Sequence, residues 1–467
     1  MRIPCMHPVV GFLLAAALGS APARADVPPP TLVPAYERVV LPNGLTVLLL
    51  EQHEIPLVHF DVVVRAGAMT DPAGKEGLAD LTFSLLRKGT QRYSGEQLAD
   101  ELDFLGARLD GGVGHESAEL QAEFLAKDVD AGLDLLAEVL LRPTFPEAEV
   151  RKLVDLNVNG IREMKDNPRS VIGRYYDGFL FGSHPYARPV DGTETSIAAL
   201  RVEDVKRFHG DFVRPGATIL SVAGDFAAAD MRRKIEATFG AWKAAPVTTP
   251  STPAPSPSKG RRVLLVDKPD ATQTYFRIGN LGIERGNPDE PSLEVVNTIF
   301  GGRFTSWLST ELRIKSGLSY NAHSAFVRRR VPGSFYISSF TRTDDTGKAV
   351  DLALEVLERL HRTGPTEDEL KSSKNYIRGQ YPPDFETAGQ LAGAAADLEF
   401  FGLDRDTINN FTQRTDAVTL ADAKRVIAER FPRKDLVIVL VGQAAKVRKL
   451  ASKYGAVTEK RTADPGY

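Results

Sequence analysis

The chain has 467 residues, with 58 Lys and Arg against 61 Asp and Glu and a formal net charge of −3. That length accommodates two or three domains and a large core, and the near-balanced charge supplies no basic field for nucleic acid. With 42% hydrophobic and 25% charged residues, the composition also excludes wholesale disorder.

The first 25 residues predict an export signal. Arg2 supplies the positive start, Val9 to Leu18 the apolar run, and Ala23-Arg24-Ala25 an A-x-A cleavage site before Asp26. The run is far below the roughly 20 residues needed to span a bilayer. A short buried helix is the competing reading; the agreement of all three signal features argues against it. The only cysteine, Cys5, lies in this segment and too early to anchor a lipid. The mature chain is therefore expected to have no thiol, which excludes disulfides, cysteine catalysis and cysteine-ligated metal. No later stretch is apolar enough to cross a membrane. The expected location is a periplasm or the outside of the cell, with no membrane insertion after cleavage.

In chain order, Leu45 to Leu50 and Val58 to Val64 are strand-like and joined through turn residues. Ser94 and Gln97 form a capping box that opens a helix through Leu105. Leu133, Leu136 and Leu140 follow a helical stripe. An apolar strand follows at Ala217 to Gly224. Pro246 to Gly260 is almost all Pro, Ser and Thr; it cannot bury a core and predicts an extended linker. It sets the expected boundaries: 26–245, a linker over 246–261, and 262–467.

The two halves repeat one another. Asp204-Val205-Lys206-Arg207-Phe208 precedes Phe212-Val213-Arg214 and the strand ending at Gly224. Asp422-Ala423-Lys424-Arg425-Val426 precedes Phe431-Pro432-Arg433 and the strand Leu436 to Gly442. Ala137-Glu138-Val139-Leu140 is matched by Leu354-Glu355-Val356-Leu357, each before a proline and a helix near Glu149 or Glu369. A common offset of about 220 residues across these pairs reads as a duplicated domain. Strands and helices come in unequal runs, which predicts α+β: two homologous domains, each a largely antiparallel sheet with helices packed on it.

His53, His59, His115, His184, His209 and His323 are scattered, and none has a second histidine at metal spacing. Each reads more readily as a surface or hydrogen-bonded histidine than as a ligand. Arg328-Arg329-Arg330 reads as a solvated strand edge rather than a binding patch.

Leu41-Pro42-Asn43-Gly44-Leu45, then Ala66-Gly67-Ala68 through Gly77-Leu78-Ala79, then Lys88-Gly89-Thr90, resemble the pitrilysin / mitochondrial processing peptidase family of inverted-zinc-motif metallopeptidases. The likeness runs from about Tyr36 to Ala451. In that family G-L-A leads into a helix bearing H-x-x-E-H. In the register fixed by Lys88-Gly89-Thr90, Asp80 stands for the first zinc histidine, Phe83 for the glutamate base and Ser84 for the second histidine. Gly160, before Ile161, stands for the third ligand, a glutamate. The chemistry requires two histidines on one helix face and a carboxylate to activate the metal-bound water. The resemblance therefore implies a non-catalytic member, with no metal of its own and zinc in a partner.

Gly301-Gly302-Arg303-Phe304-Thr305-Ser306, Leu312-Arg313 and Gly317-Leu318-Ser319-Tyr320 resemble the family segment whose arginine and tyrosine contact the substrate main chain. The resemblance assigns those roles to Arg313 and Tyr320; the residues alone favour a helix cap and a packed strand residue. It further implies a heteromeric zinc peptidase in which this chain positions an extended peptide for a zinc-bearing homologous subunit. The alternative is a structural or chaperone-like protein with no part in proteolysis. An independent hydrolase has little support, since the sequence has no G-x-S-x-G.

Overall fold

The structure, a computed structural model, describes residues 31–246, 252–257 and 259–467. The predicted signal segment and part of the predicted linker lie outside the described residues. Among the described residues no helix is long and apolar enough to cross a membrane.

Each half contributes one six-stranded sheet. The first contains β1 (Glu37–Val40), β2 (Thr46–Glu51), β3 (Leu57–Val64), β4 (Arg108–Val113), β5 (Ala118–Leu125) and β6 (Thr218–Gly224), in the order β1-β2-β6-β3-β5-β4. The second contains β7 (Arg262–Asp267), β8 (Gln273–Leu281), β9 (Ala322–Val327), β10 (Ser334–Arg342), β11 (Val437–Gly442) and β12 (Ala456–Arg461), in the order β12-β7-β11-β8-β10-β9. Pairing is largely antiparallel. The parallel exceptions are β2 with β6 in the first sheet, and β7 with both β11 and β12 in the second. The fold class expected from sequence is the one observed, with sheets that are mixed.

The first half also contains the helices α1 (Leu78–Leu85), α2 (Gly95–Leu105), α3 (Val129–Leu141), α4 (Glu147–Lys165) and α5 (Pro168–Phe181). The capping box opens α2 as the sequence predicts, with Ser94 accepting from the Gln97 amide and the Gln97 side chain accepting from Ser94. The leucine stripe lies on α3, where Leu133, Leu136 and Leu140 are all buried. One face of the first sheet joins α1 and α3 in a core that includes Phe60, Val62, Phe83, Leu85 and Leu136. The second half builds its own core on one face of the second sheet, around Phe276, Ile278, Phe300 and Phe335. Burying each such side chain stabilises the fold by about 1.5–3 kcal/mol.

The opposite faces of the two sheets are covered by exchange. Helix α5, from the first half, lays Ile172, Tyr176 and Leu180 on Val437, Val439 and Val441 of β11 and on Leu264 and Val266 of β7. The Tyr176 hydroxyl donates to the Phe335 carbonyl at 2.7 Å. The helix Ala388–Phe401, from the second half, lays Leu391, Ala392 and Ala395 on Leu48, Leu50, Val63 and Ile219 of the first sheet. Each half thus finishes the other half's sheet, and Leu32–Tyr467 form one compact unit.

The Arg328-Arg329-Arg330 run departs from the expected solvated edge. Arg328 pairs with Glu294 at 2.8 Å. Arg329 is only 9% exposed and lies over the Tyr186 ring at 4.5 Å. Arg330 and Arg65 both donate to the Phe400 carbonyl, at 2.7 and 2.8 Å, with their guanidinium groups against its ring. The run clasps the two halves. The charge pattern concealed this because its partners lie far off in sequence.

In the linker region, His184 Nε2 lies 2.8 Å from the Pro253 carbonyl and Pro255 is buried. Lys259 and Arg261 are exposed.

Candidate functional site

The first region begins at α1, which is held at its N-terminal end. The Asp71 carboxylate accepts from the Gly77 and Ala79 amides at 2.8 and 2.9 Å, satisfying donors that a helix start otherwise leaves unpaired. Gly77 has φ +92°, and a Cβ there would lie 2.5 Å from the Ile197 side chain. Only glycine fits so close an approach in that backbone conformation.

On α1, Asp80 and Ser84 share one partly exposed face, one turn apart. Phe83, beside them on the helix, is 3% exposed and a member of the first core. Gly160 lies on the exposed side of α4, and among the described residues nothing stands within 4 Å of where its Cβ would be. Burial, with Asp191 nearby, pushes the Asp80 carboxyl up to about 6. Asp191 itself is held by a bidentate pair with Arg174 at 2.7 and 2.9 Å. Beside this cluster lies Tyr467, its ring edge-on to Tyr175 at 5.4 Å and under Lys165 Nζ at 5.3 Å. Sequence reasoning missed this strap, in which β12 carries the chain from the second sheet onto α4 and α5.

The second region lies in the other half. Ser306 caps a short helical turn, Trp307–Ser309, that continues as a π-helix over Thr310–Lys315. Leu312 is fully buried and anchors the turn, while Arg313 and Ile314 face outward. A π-turn shifts the side-chain register from an α-helix and recurs at functional sites. The segment after it is pinned to β10: Thr341 Oγ1 donates to the Leu318 carbonyl at 2.7 Å, and Ser339 Oγ to Ser319 Oγ at 2.9 Å. Tyr320 therefore projects from a fixed base although it is 73% exposed. The Arg313 guanidinium sits between two rings, 4.6 Å from Phe304 and 4.2 Å from Tyr320. Phe304 and Ile314 are 60% and 59% exposed, so a cation is framed by open apolar surface. Sequence analysis named Arg313 and Tyr320 and missed Phe304 as the other wall.

The histidines are scattered in space as well. His53 lies 2.8 Å from Asp225, and His209 meets the Leu140 carbonyl. Burial and Arg329 push His115 down to about 3. Among the described residues no group of three or more His, Cys, Asp or Glu is arranged to hold a metal ion.

Two duplicated halves, each a mixed six-stranded sheet completed by a helix of the other, define a peptidase-like two-domain α+β protein. Residues 46–194 match the family described as "Insulinase (Peptidase family M16)" and residues 199–377 the "Peptidase M16 inactive domain". The chain belongs to peptidase family M16. It is 22% identical over 412 residues to the "Uncharacterized zinc protease YmxG" of Bacillus subtilis, covering 88% of this chain and 99% of that one. It is 27% identical over 366 residues to an uncharacterized zinc protease of Mycobacterium tuberculosis, covering 77% and 82%. The crystal structure of a peptidase M16 inactive domain from Pseudomonas fluorescens aligns with a TM-score of 0.83 at 25% identity, over 88% of this chain and 98% of that one. A protease from Helicobacter pylori aligns with a TM-score of 0.81 at 21% identity, over 88% and 100%, a likeness of fold.

Zinc, which the names of the Bacillus and Mycobacterium relatives carry, does not fit the residues at these positions. Phe83 offers no acceptor and is packed inward, Gly160 has no side chain, and Asp80 and Ser84 alone cannot complete a tetrahedral set of protein ligands.

Proposed function

We propose that this chain is the non-catalytic, substrate-positioning subunit of a heteromeric zinc metallopeptidase that processes or degrades peptides in the periplasm. The observation that carries the reading is the contrast between the two regions. At α1 the position for the base is a buried phenylalanine, whereas the Phe304–Arg313–Tyr320 stack is exposed and held on a pinned frame. Burying an aromatic in place of a carboxylate favours the fold at the expense of chemistry. Leaving Phe304, Tyr320 and the adjoining Ile314 in solvent around a cation favours binding.

In this reading a zinc-bearing homologous subunit supplies hydrolysis. Arg313 provides a rigid fork of donors for main-chain carbonyls of an extended peptide, and the Tyr320 hydroxyl donates to the scissile carbonyl as charge builds there. Strand addition would hold the peptide through main-chain bonds, giving breadth over sequence specificity. Among the edge strands β1, β4, β9 and β12, β9 begins two residues after Tyr320, and β4 carries Gly111 and Gly112. The signal features of residues 1–25 support the periplasmic placement. Metal analysis and a peptide-cleavage assay on the purified chain test the first half of the reading. The expected result is no stoichiometric zinc and no cleavage until a subunit bearing H-x-x-E-H is added. About one tightly held zinc per chain, or cleavage by the chain alone, would overturn it.

A further inference from the structure

The first sheet carries charge on the face covered by the helix Ala388–Phe401. β3 places His59, Asp61 and Val63 on that face, and β5 places Glu119 and Gln121 there, with Asp61 opposite Gln121 and Val63 opposite Glu119. Gly389 and Gly393, one turn apart on the covering helix, make the space. A Cβ on Gly389 would lie 3.1 Å from the His59 ring, and one on Gly393 would lie 3.3 Å from Asp61 Oδ2. Here a cavity of about 360 Å³ is bounded by Asp61, Glu119, Glu116, Asp397, Arg329 and Phe400. It shares Gln121, Gly393 and Asp397 with a larger cleft of about 770 Å³.

The charges around the cavity do not balance locally. Glu116 accepts from the Tyr186 hydroxyl at 2.6 Å and from the Arg330 amide at 3.1 Å. Asp397 is paired with Arg285 at 3.0 Å, and Arg329 lies 3.7 Å from Asp177. Asp61 and Glu119 remain. Asp61 is 2% exposed; the Gln121 side chain hydrogen-bonds its carboxyl, but its Oδ1 has no hydrogen-bond partner among the described residues. Glu119 meets the Ser117 hydroxyl at 3.5 Å. Burial, then the Glu119 charge, push the Asp61 carboxyl up to about 7; burial pushes Glu119 up as well, with Asp397 adding to it. Two neighbouring carboxylates with one buried oxygen unpartnered and, among the described residues, no cation paired to either are costly, and a cation between them removes that cost.

We propose that this cavity binds a primary alkylammonium group between Asp61 and Glu119, from a small amine or from the lysine side chain of a peptide. An ammonium brings three donors and no acceptor, which suits two carboxylates and the Gln121 amide oxygen. Val63, Ala396 and Phe401 supply an apolar wall for the methylenes that precede the charge. The site is independent of the reading given to Arg313 and Tyr320.

Calorimetric titration of the full chain at pH 8 and low salt tests it. The probes are 1,4-diaminobutane and the blocked tripeptide acetyl-Gly-Lys-Gly-amide, with acetyl-Gly-norleucine-Gly-amide as the uncharged control. The expected result is saturable one-site binding of at least one ammonium probe and none of the control. Binding should weaken about tenfold or more in Asp61→Asn and in Glu119→Gln, and stay unchanged in Asp110→Asn, an exposed carboxylate on β4. Asp61→Asn removes a buried charge without changing shape, and Glu119→Gln lies at a partly exposed position, so two independent folded variants report. Binding of the diamine alone assigns the site to free amines; binding of the tripeptide assigns it to lysine side chains. No saturable binding of either probe by folded wild-type chain at millimolar concentration, or equal binding by wild type and both cavity variants, would overturn the proposal.

Discussion

The Arg313 guanidinium lies 4.2 Å over the ring of Tyr320, with Phe304 closing the other side at 4.6 Å. The stack is preformed in the isolated chain, although Tyr320 is 73% exposed. Exposed cation–π contacts contribute only about 0.5–1 kcal/mol. Tyr320→Ala should therefore lower unfolding stability by no more than about 1 kcal/mol in urea denaturation. A loss of several kcal/mol would show that the stack holds the fold together instead of presenting a surface.

Phe83 should behave in the opposite way. It belongs to the first core and is 3% exposed, so Phe83→Ala should cost about 3–5 kcal/mol. Phe83→Glu should cost at least as much, because it buries a carboxylate without a partner. Denaturation midpoints of the two variants check this. A Phe83→Glu variant as stable as wild type would mean that the catalytic geometry survives beneath the substitution.

The halves should outlive their connection. Lys259 and Arg261 are exposed, and the domain boundary proposed from composition lies beside them. Trypsin should cut there first and give two fragments of similar size. Because α5 and Ala388–Phe401 each cover the other half's sheet, those fragments should co-elute in size exclusion until denaturant is added. First cuts inside either half, or fragments that separate in native buffer, would contradict the exchanged packing.

Stability should fall as pH rises through 7, with Asp61 responsible for part of it. Its folded value, about 7, is raised from 3.8, so the folded chain holds a proton that the unfolded chain releases. The stability this gives is complete below about 4 and is lost as pH rises through about 7. Asp61→Asn removes the dependence at this site, so the variant should gain on wild type between pH 5 and pH 8, by on the order of 3 kcal/mol at most. Urea midpoints at the two pH values report the difference; an unchanged gap would show Asp61 to be ionised and satisfied throughout.

The sequence is informative where a pattern is local. The capping box at Ser94 and Gln97 marks the start of α2, and the paired Asp204 and Asp422 segments mark equivalent helices, Val202–Phe212 and Leu420–Arg430. Registration against Lys88-Gly89-Thr90 places Asp80, Phe83 and Ser84 on one helix, and the structure supplies that helix. Periodicity does not say which sheet a helix covers. The apolar face of α5 is visible in the sequence, yet nothing local says that it meets β11 from the other half. Arg329 and Asp61 were opaque for the same reason: the Tyr186 ring and the Gly393 backbone that enclose them are brought there by tertiary packing.

The most direct measurement is steady-state cleavage of a fluorogenic peptide by this chain reconstituted with a homologous zinc-bearing subunit, with assembly confirmed by size. Arg313→Ala and Tyr320→Phe should each lower kcat/KM about a hundredfold, on the order of 3 kcal/mol of transition-state stabilisation, while the complex forms as before. Wild-type rates from both variants in an intact complex would contradict substrate positioning by this subunit and leave a structural role in its place.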